Sequence, residues 1–211
     1  ASYAAPVAVN DTQALVVTRL NTVLLRLADG QVLGDVRFGS RGPTVNAATP
    51  IPLGNQRFLL TASYGVGATL LSVADSQLSE IFSGDDTLSS QYNTPVAVGS
   101  RVIGIDGRED VGVASLQSME IADDKISIVW RQPQFGTAHL LRAASDQIIV
   151  LSLDGGLFLL DGKADQFQPL AKSKLPAGTY RALPALSASR LVVRSSDESS
   201  GRSQLICIKL P

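Results

Sequence analysis

One phrase recurs along this chain, and its recurrence constrains the fold more than any other feature. A proline, a short apolar run, a turn and a second apolar run appear as "APVAVNDTQALVV" from Ala5, "TPIPLGNQRFLLT" from Thr49, "TPVAVGSRVIGID" from Thr94 and "LPALSASRLVVRS" from Leu183. The prolines, Pro6, Pro50, Pro95 and Pro184, stand 44, 45 and 89 residues apart, the last gap being close to two of the others. A further copy is therefore expected near residue 139, where the chain reads "TAHLLRAASDQIIVLS" with His139 near the proline slot. Arg57, Arg101 and Arg190 open the second run of their copies at separations of 44 and 89. A fixed period of this length marks a repeat architecture. The 211 residues hold about 4.7 copies of a unit of about 44 residues.

Within each unit the texture is β. Runs such as "ALVV", "RFLL", "RVIGI", "QIIVL" and "RLVV" are short, branched and apolar, and are bounded by Gly, Asp, Asn or Ser. A second set follows tight turns ("TVLLRLA", "ATLLSVA", "VASLQSM", "GLFLLDG", "SQLICIKL"), and a weaker third set follows that ("QVLGDVRF", "QLSEIF", "KISIVWRQ", "FQPLAKSKL"). With the run after the proline, each unit has four strands, while the last copy stops after its third. No segment holds an apolar period of 3.6 over three turns, so no long helix is expected. Four strands in about 44 residues are the blade of a β-propeller, and a blade must stack on neighbours to cover its two faces. The predicted fold is an all-β propeller with blades at 5–47, 48–92, 93–135, 136–181 and 182–211. Proline suits the first position of a strand, and the small residues behind it (Ala8, Ala97, Ala185) suit a crowded central channel.

Composition removes several classes of function. Hydrophobic residues make up 45% and charged residues 18%, so the chain has a core to bury. A formal net charge of -1 gives no electrostatic reason to expect nucleic acid or an anionic membrane as partner. Apolar runs such as "LFLL" at 157–160 are far short of the roughly 20 residues of a membrane span. No basic segment followed by an apolar one opens the chain, so a signal peptide would lie outside it. One cysteine, Cys207, and one histidine, His139, exclude an intrachain disulfide and the usual Cys/His zinc site. Cys207, in "LICIKL", is expected to be a small buried hydrophobe.

The candidate motifs read mostly as architecture. "SYGVGATL" (63–70) has a Gly-x-Gly, but an apolar strand pattern follows, where a phosphate cradle needs a helix N-terminus. "DGREDVG" (106–112) gathers Asp106, Arg108, Glu109 and Asp110 in a turn whose charges compensate, without the spacing of a calcium loop. "SLDGG" (152–156) and "SSDESSG" (195–201) fall at the same point of their copies. His139 has no nucleophile elbow to serve, and "RQPQFG" (131–136) reads as a connection between blades. One geometric inference survives. In a four-stranded blade, the loops joining strands two and three share a ring face with the connections between blades. The first set supplies Tyr64, Asp106, Arg108, Asp154 and Asp197; the second supplies Arg41, Asn46, Tyr92, His139, Tyr180 and Arg181. Tyrosine and arginine are enriched at binding hot spots, so that face is the expected interaction surface.

The opening "TPV", the "SRVIGIDGR" of 100–108, and "DQIIVLSLDGGLFLLD" (146–161) followed by "ALPALSASRLVVRS" (182–195) resemble the quinoprotein-like propellers over the whole chain. That family includes the pyrroloquinoline-quinone dehydrogenases and non-enzymatic relatives of the outer-membrane assembly factor type. The resemblance implies an eight-bladed ring of which this block is the C-terminal part, with an N-terminal strand completing the last blade. A five-bladed ring, or a partial ring completed by a partner chain, are the alternatives. The enzymes carry a tryptophan near the end of nearly every blade and a vicinal cysteine pair over the quinone. Here only Trp130 stands in such a slot, Gly34 and Phe82 fall near the others, and one cysteine cannot form the pair. No cofactor is therefore expected. The resemblance implies a non-catalytic binding or scaffold module of the bacterial periplasm or cell surface, with protein partners. The alternative classes are a fragment of a quinone-dependent dehydrogenase, or another propeller enzyme such as a glycosidase or lyase.

Overall fold

A computed structural model describes residues 2–42, 44–143, 146–197 and 199–210. Among them every regular element is a strand, and the strands form five antiparallel sheets, each running in chain order. Sheet 1 contains β1 (Val7–Asn10), β2 (Gln13–Val17), β3 (Asn21–Arg26) and β4 (Val32–Arg37). Sheet 2 contains β5 (Ile51–Gly54), β6 (Arg57–Ala62), β7 (Gly67–Ala74) and β8 (Gln77–Gly84). Sheet 3 contains β9 (Val96–Val98), β10 (Arg101–Arg108), β11 (Val113–Ala122) and β12 (Lys125–Gln132). Sheet 4 contains β13 (Ala138–Arg142), β14 (Gln147–Ser152), β15 (Gly156–Asp161) and β16 (Ala171–Lys174). Sheet 5 has three strands, β17 (Ala185–Ser187), β18 (Arg190–Asp197) and β19 (Arg202–Lys209).

The registers make the sheets superimposable. Leu15, Leu59, Ile103, Ile149 and Val192 oppose Val7, Ile51, Val96, Leu141 and Ala185 on the first strands. By that register the proline slot of sheet 4 holds Leu140, and His139 lies one place earlier, beside Thr49 and Thr94 of the other copies. In two copies that earlier place ties one sheet to the next: the Ala5 N–H donates to Thr49 Oγ1 at 3.2 Å, and the Thr49 N–H donates to Thr94 Oγ1 at 3.0 Å. Gly104 is small for a related reason, since a Cβ there would come within 3.1 Å of Pro95.

The periodic arginines also acquire a reason. The residue that opens the second strand reaches forward to the turn joining the last two strands of the following sheet. Gln13 donates to Ser76 Oγ at 2.7 Å, Arg57 donates to the Asp123 carbonyl, and Arg101 pairs with Asp165 at 2.6 Å. A bulge recurs as well, shifting the register between Leu24 and Leu25, Leu70 and Leu71, and Ser118 and Met119. The residues opposite Leu24, Leu70 and Ser118 are Gly34, Phe82 and Trp130, so these three are equivalent positions. Trp130 docks sheet 3 on sheet 4: its Nε1–H donates to the Ala164 carbonyl at 3.0 Å and its ring lies 5.7 Å from Phe167.

Side chains alternate across each strand, so one strand serves two interfaces. Phe58 and Leu60 of β6 pack back on Leu15, Val17 and Leu24, whereas Leu59 of the same strand packs forward on Val102 and Met119. Ile103, Ile105 and Leu116 then meet Ile148, Val150 and Leu160, and Ile149 and Leu151 meet Leu191 and Val193. A strand covered on both faces needs an unbroken apolar run, which is why Phe58, Leu59 and Leu60 at the centre of β6 are all apolar. Each leucine so enclosed contributes about 2 kcal/mol of transfer free energy.

Two expectations are corrected. Cys207 is exposed, not buried. Of its counterparts by register, Leu24, Leu70 and Ser118 are fully buried and Leu159 is partly buried against sheet 5. Cys207 faces away from sheet 4, and no described sheet covers it. For the same reason Ala185 is exposed; Ala8 is exposed on the outer face of sheet 1, and only Ala97 packs into an interface.

Candidate functional site

The turns between second and third strands lie beside the crossings between sheets, and main-chain bonds tie the two sets together. The Gly107 N–H donates to Ser89 O at 3.0 Å, and the Tyr180 N–H donates to Leu153 O at 2.9 Å. Gly107 has φ 121°, and a Cβ there would sit 2.2 Å from the Val113 carbonyl, so the close approach of chain to chain requires glycine. Ser63 Oγ bridges the same junction, donating to Ser89 O at 2.6 Å. The result is a stitched face on which side chains from three successive sheets and from the crossings between sheets meet.

The centre of that face is Glu109. Its carboxylate accepts the Tyr92 hydroxyl at 2.7 Å and is held by both terminal nitrogens of Arg181, each at 2.7 Å. This is the two-pronged guanidinium–carboxylate geometry, the strongest form of such a pair. The Arg181 carbonyl in turn accepts a bond from His139 Nε2 at 2.8 Å. A carbonyl only accepts, so the proton of the neutral ring sits on Nε2. The His139 ring lies 6.2 Å from that of Tyr92. Arg181 and Tyr92 hold the Glu109 carboxyl below its ordinary range. Burial, and then the bond to the Glu109 carboxylate, push the Tyr92 phenol up to about 12. Burial holds the His139 imidazolium below its usual 6.5.

Beside this junction stands a second group. Tyr64 has φ 67°, an uncommon conformation for a bulky residue. The guanidinium of Arg108 lies 4.3 Å above its ring, within the range of a cation–π contact. Gln91 Nε2 donates to the Tyr64 hydroxyl at 3.0 Å and to Asp110 Oδ1 at 3.2 Å. The Glu109 N–H donates to Gln91 Oε1 at 2.9 Å, which joins the two groups into one network. Arg108 pairs with Asp110 and holds that carboxyl low.

The structure thus brings Tyr64, Tyr92, Arg108, His139 and Arg181 together and places the other expected residues elsewhere. Asp106 lies within β10, accepting the Ser89 N–H at 2.8 Å and facing Arg131 at 3.4 Å. Tyr180 is fully buried in the core between sheets 4 and 5, its hydroxyl donating to Pro176 O at 2.8 Å. Asn46 is also buried and donates to Thr18 O and Arg19 O at the first crossing, and the Arg41 carbonyl accepts a bond from Arg19. Asn46 and the Arg41 main chain brace sheet 1, while the Arg41 side chain is exposed away from the Glu109 network. Asp154 is drawn down to about 2 by Lys174 and by Ser152. Asp197 is also held at about 2, by Ser199 and Ser200 in its own turn, and the neighbouring Glu198 lies outside the described residues. "SYGVGATL" is a turn with Gly65 and Gly67 at positive φ, and the strand β7 follows it. Among the described residues, no three of His, Cys, Asp or Glu stand close enough to hold a metal ion.

Sequence reasoning missed two central residues. Glu109 looked like one charge of a self-compensated turn, yet its partner lies 72 residues away. Gln91 carries no sequence signal beyond its position beside Tyr92.

Repeated antiparallel sheets stacked face to face, with each interface built alike and the loops gathered on one side, define a β-propeller. No protein-family model matches the sequence, and no curated protein matches it. Among solved structures the fold is similar to that of BamB from Moraxella catarrhalis, with a TM-score of 0.67 at 15% sequence identity. That likeness covers 97% of this chain and 59% of the BamB chain, so the chain spans less than two thirds of its neighbour. BamB is one of 275 solved chains with such a likeness, and a likeness so widely shared speaks to fold.

Proposed function

We propose that this chain is a non-catalytic binding module whose loop face engages a protein partner, as part of a larger assembly in the bacterial cell envelope. The observation that carries the reading is Tyr64. The backbone accepts a conformation costing on the order of 1–2 kcal/mol in order to set a tyrosine beneath Arg108 on the loop face. The neighbouring network fixes half-exposed Tyr92 and exposed Arg181 before any partner arrives, and pre-ordered aromatic and guanidinium groups are what hot spots are made of. The similarity of fold to BamB and the sequence resemblance to assembly-factor propellers support the envelope setting.

The test is a photo-crosslinking residue placed at Tyr64 in one variant and at Asp75, in a turn at the other end of sheet 2, in a second. Both are irradiated in a bacterial envelope preparation. The expected result is a discrete crosslinked protein from position 64 that disappears when Arg108→Glu and Arg181→Glu are added, and none from position 75. Equal products from both positions, or none from position 64, would refute the reading.

A further inference from the structure

A second feature lies at the outer margin of the same side of the molecule, between sheets 3 and 4. It is a groove of about 630 Å³, within the size range of small-ligand sites. Three of the six phenylalanines form its floor. Phe135, from the crossing between the two sheets, lies 5.3 Å from Phe158 of β15 and 5.8 Å from Phe167. Phe158 and Phe167 are 6.4 Å apart, and Trp130 closes the far side of Phe167. All three phenyl rings remain partly exposed, at tilts of 53–77° to one another. Such an arrangement offers edges and faces to a further flat ring.

The rim is charged, and the charges do not cancel. Lys172 and Lys174 of β16 stand directly opposite Phe158 and Gly156. Lys174 is committed to Asp154 at 2.5 Å, and Asp154 is further held by Ser152 Oγ and the Gly156 N–H. Lys172 has no ion-pair or hydrogen-bond partner among the described residues. Two ammonium groups and one carboxylate leave one net positive charge beside the aromatic floor. A cationic ligand, which three aromatic rings would otherwise suit, is disfavoured by that surplus.

The geometry points to a binding site for a small aromatic carboxylate, its ring on Phe135, Phe158 and Phe167 and its carboxylate on Lys172. This site does not depend on the loop-face network, and its test reads out separately. Trp130 is the only tryptophan, so its fluorescence reports on the floor of the groove. The probes are 3-phenylpropionate, phenethylamine and hexanoate, titrated into the intact chain with ligand-observed NMR as a second readout. Phenylpropionate is expected to change Trp130 emission saturably, with a dissociation constant on the order of millimolar for so small a ligand. Phenethylamine and hexanoate are expected to bind at least about tenfold more weakly, tenfold being about 1.4 kcal/mol. Lys172→Glu, at an exposed position that leaves the fold intact by circular dichroism, is expected to reverse the preference in favour of phenethylamine. Phe167→Leu is expected to weaken every aromatic probe while leaving the charge preference in place. The assignment is overturned by the absence of any saturable response to phenylpropionate, by hexanoate binding as well, or by Lys172→Glu leaving the order unchanged.

Discussion

Replacing Arg101 by methionine tests the repeated inter-sheet latch, because the stem is kept and the charge removed. Arg101 bridges three groups: Glu120 on its own sheet at 2.5 Å, and Asp165 at 2.6 Å and the Ala164 carbonyl at 3.3 Å on the next. Its side chain is only 17% exposed, but Asp165 is 84% exposed and Glu120 36%, so solvent weakens both ion pairs. Each pair is then worth about 0.5 kcal/mol, and the charge-assisted bond to the carbonyl about 1 kcal/mol. The sum is about 2 kcal/mol, or roughly 4–8 °C in Tm for a chain of this size. Arg190→Met is the internal control. Arg190 occupies the same slot on sheet 5, is exposed, and among the described residues meets only the Cys207 sulfur at 4.0 Å, so its loss is expected to change stability by less than about 0.5 kcal/mol. Urea unfolding of parent, R101M and R190M gives the comparison, and amide exchange around Ala164 and Asp165 shows where the loss is felt. If R101M and R190M are equally benign, or if exchange around residue 164 is unchanged, the slot is not a latch and the arginine period has another cause.

Two pH responses follow from the network on the loop face. The Tyr92 phenol is raised to about 12, so it contributes stability that is fully present below pH 10 and is lost as pH rises from 10 through 12. After discounting for its half-exposed position, that contribution is about 1 kcal/mol. A phenolate absorbance titration should show a late step near pH 12 that Tyr92→Phe removes. The His139 imidazole is depressed by burial, so stability is constant above pH 6.5 and falls as acid protonates the unfolded chain more readily than the folded one. Because His139 is the only histidine, its ring-proton NMR signal should titrate with a midpoint below 6.5. His139→Gln should flatten the loss of stability as pH falls below 6.5; an ordinary midpoint would show that the ring is solvated.

The fold was legible because its information is local and repeated. A proline before four of the five first strands, a polar residue opening each second strand and apolar runs between turns are properties of a few adjacent residues. The period then supplied the stacking without any long-range contact being known. The arginine period even held the latch in outline, though not its target, since the Asp165 carboxylate and the Asp123 carbonyl have no common sequence signature. His139 is expected near the proline slot and lies one place before it, the slot itself holding Leu140; that position carries the imidazole to the Arg181 carbonyl.

The candidate site was legible only in part, for a reason that applies to repeat proteins generally. In such folds a side chain's neighbours are set by which unit follows, and identical phrases acquire different surroundings. Cys207 reads as buried because it sits in the apolar run "LICIKL", yet it is exposed because no described sheet lies beyond it. Tyr180 reads as part of a binding face because it sits in a crossing beside Arg181, yet the crossing turns successive residues to opposite sides and buries the first at 0% exposure while leaving the second outside. Glu109 and Arg181 meet only because consecutive wedges bring the turn of sheet 3 against the crossing out of sheet 4. The period reports what every unit shares, whereas the loop network and the phenylalanine groove arise where units differ. A function built on this scaffold is therefore expected at positions that break the repeat, such as Tyr64, Glu109 and Phe167, rather than at those that keep it.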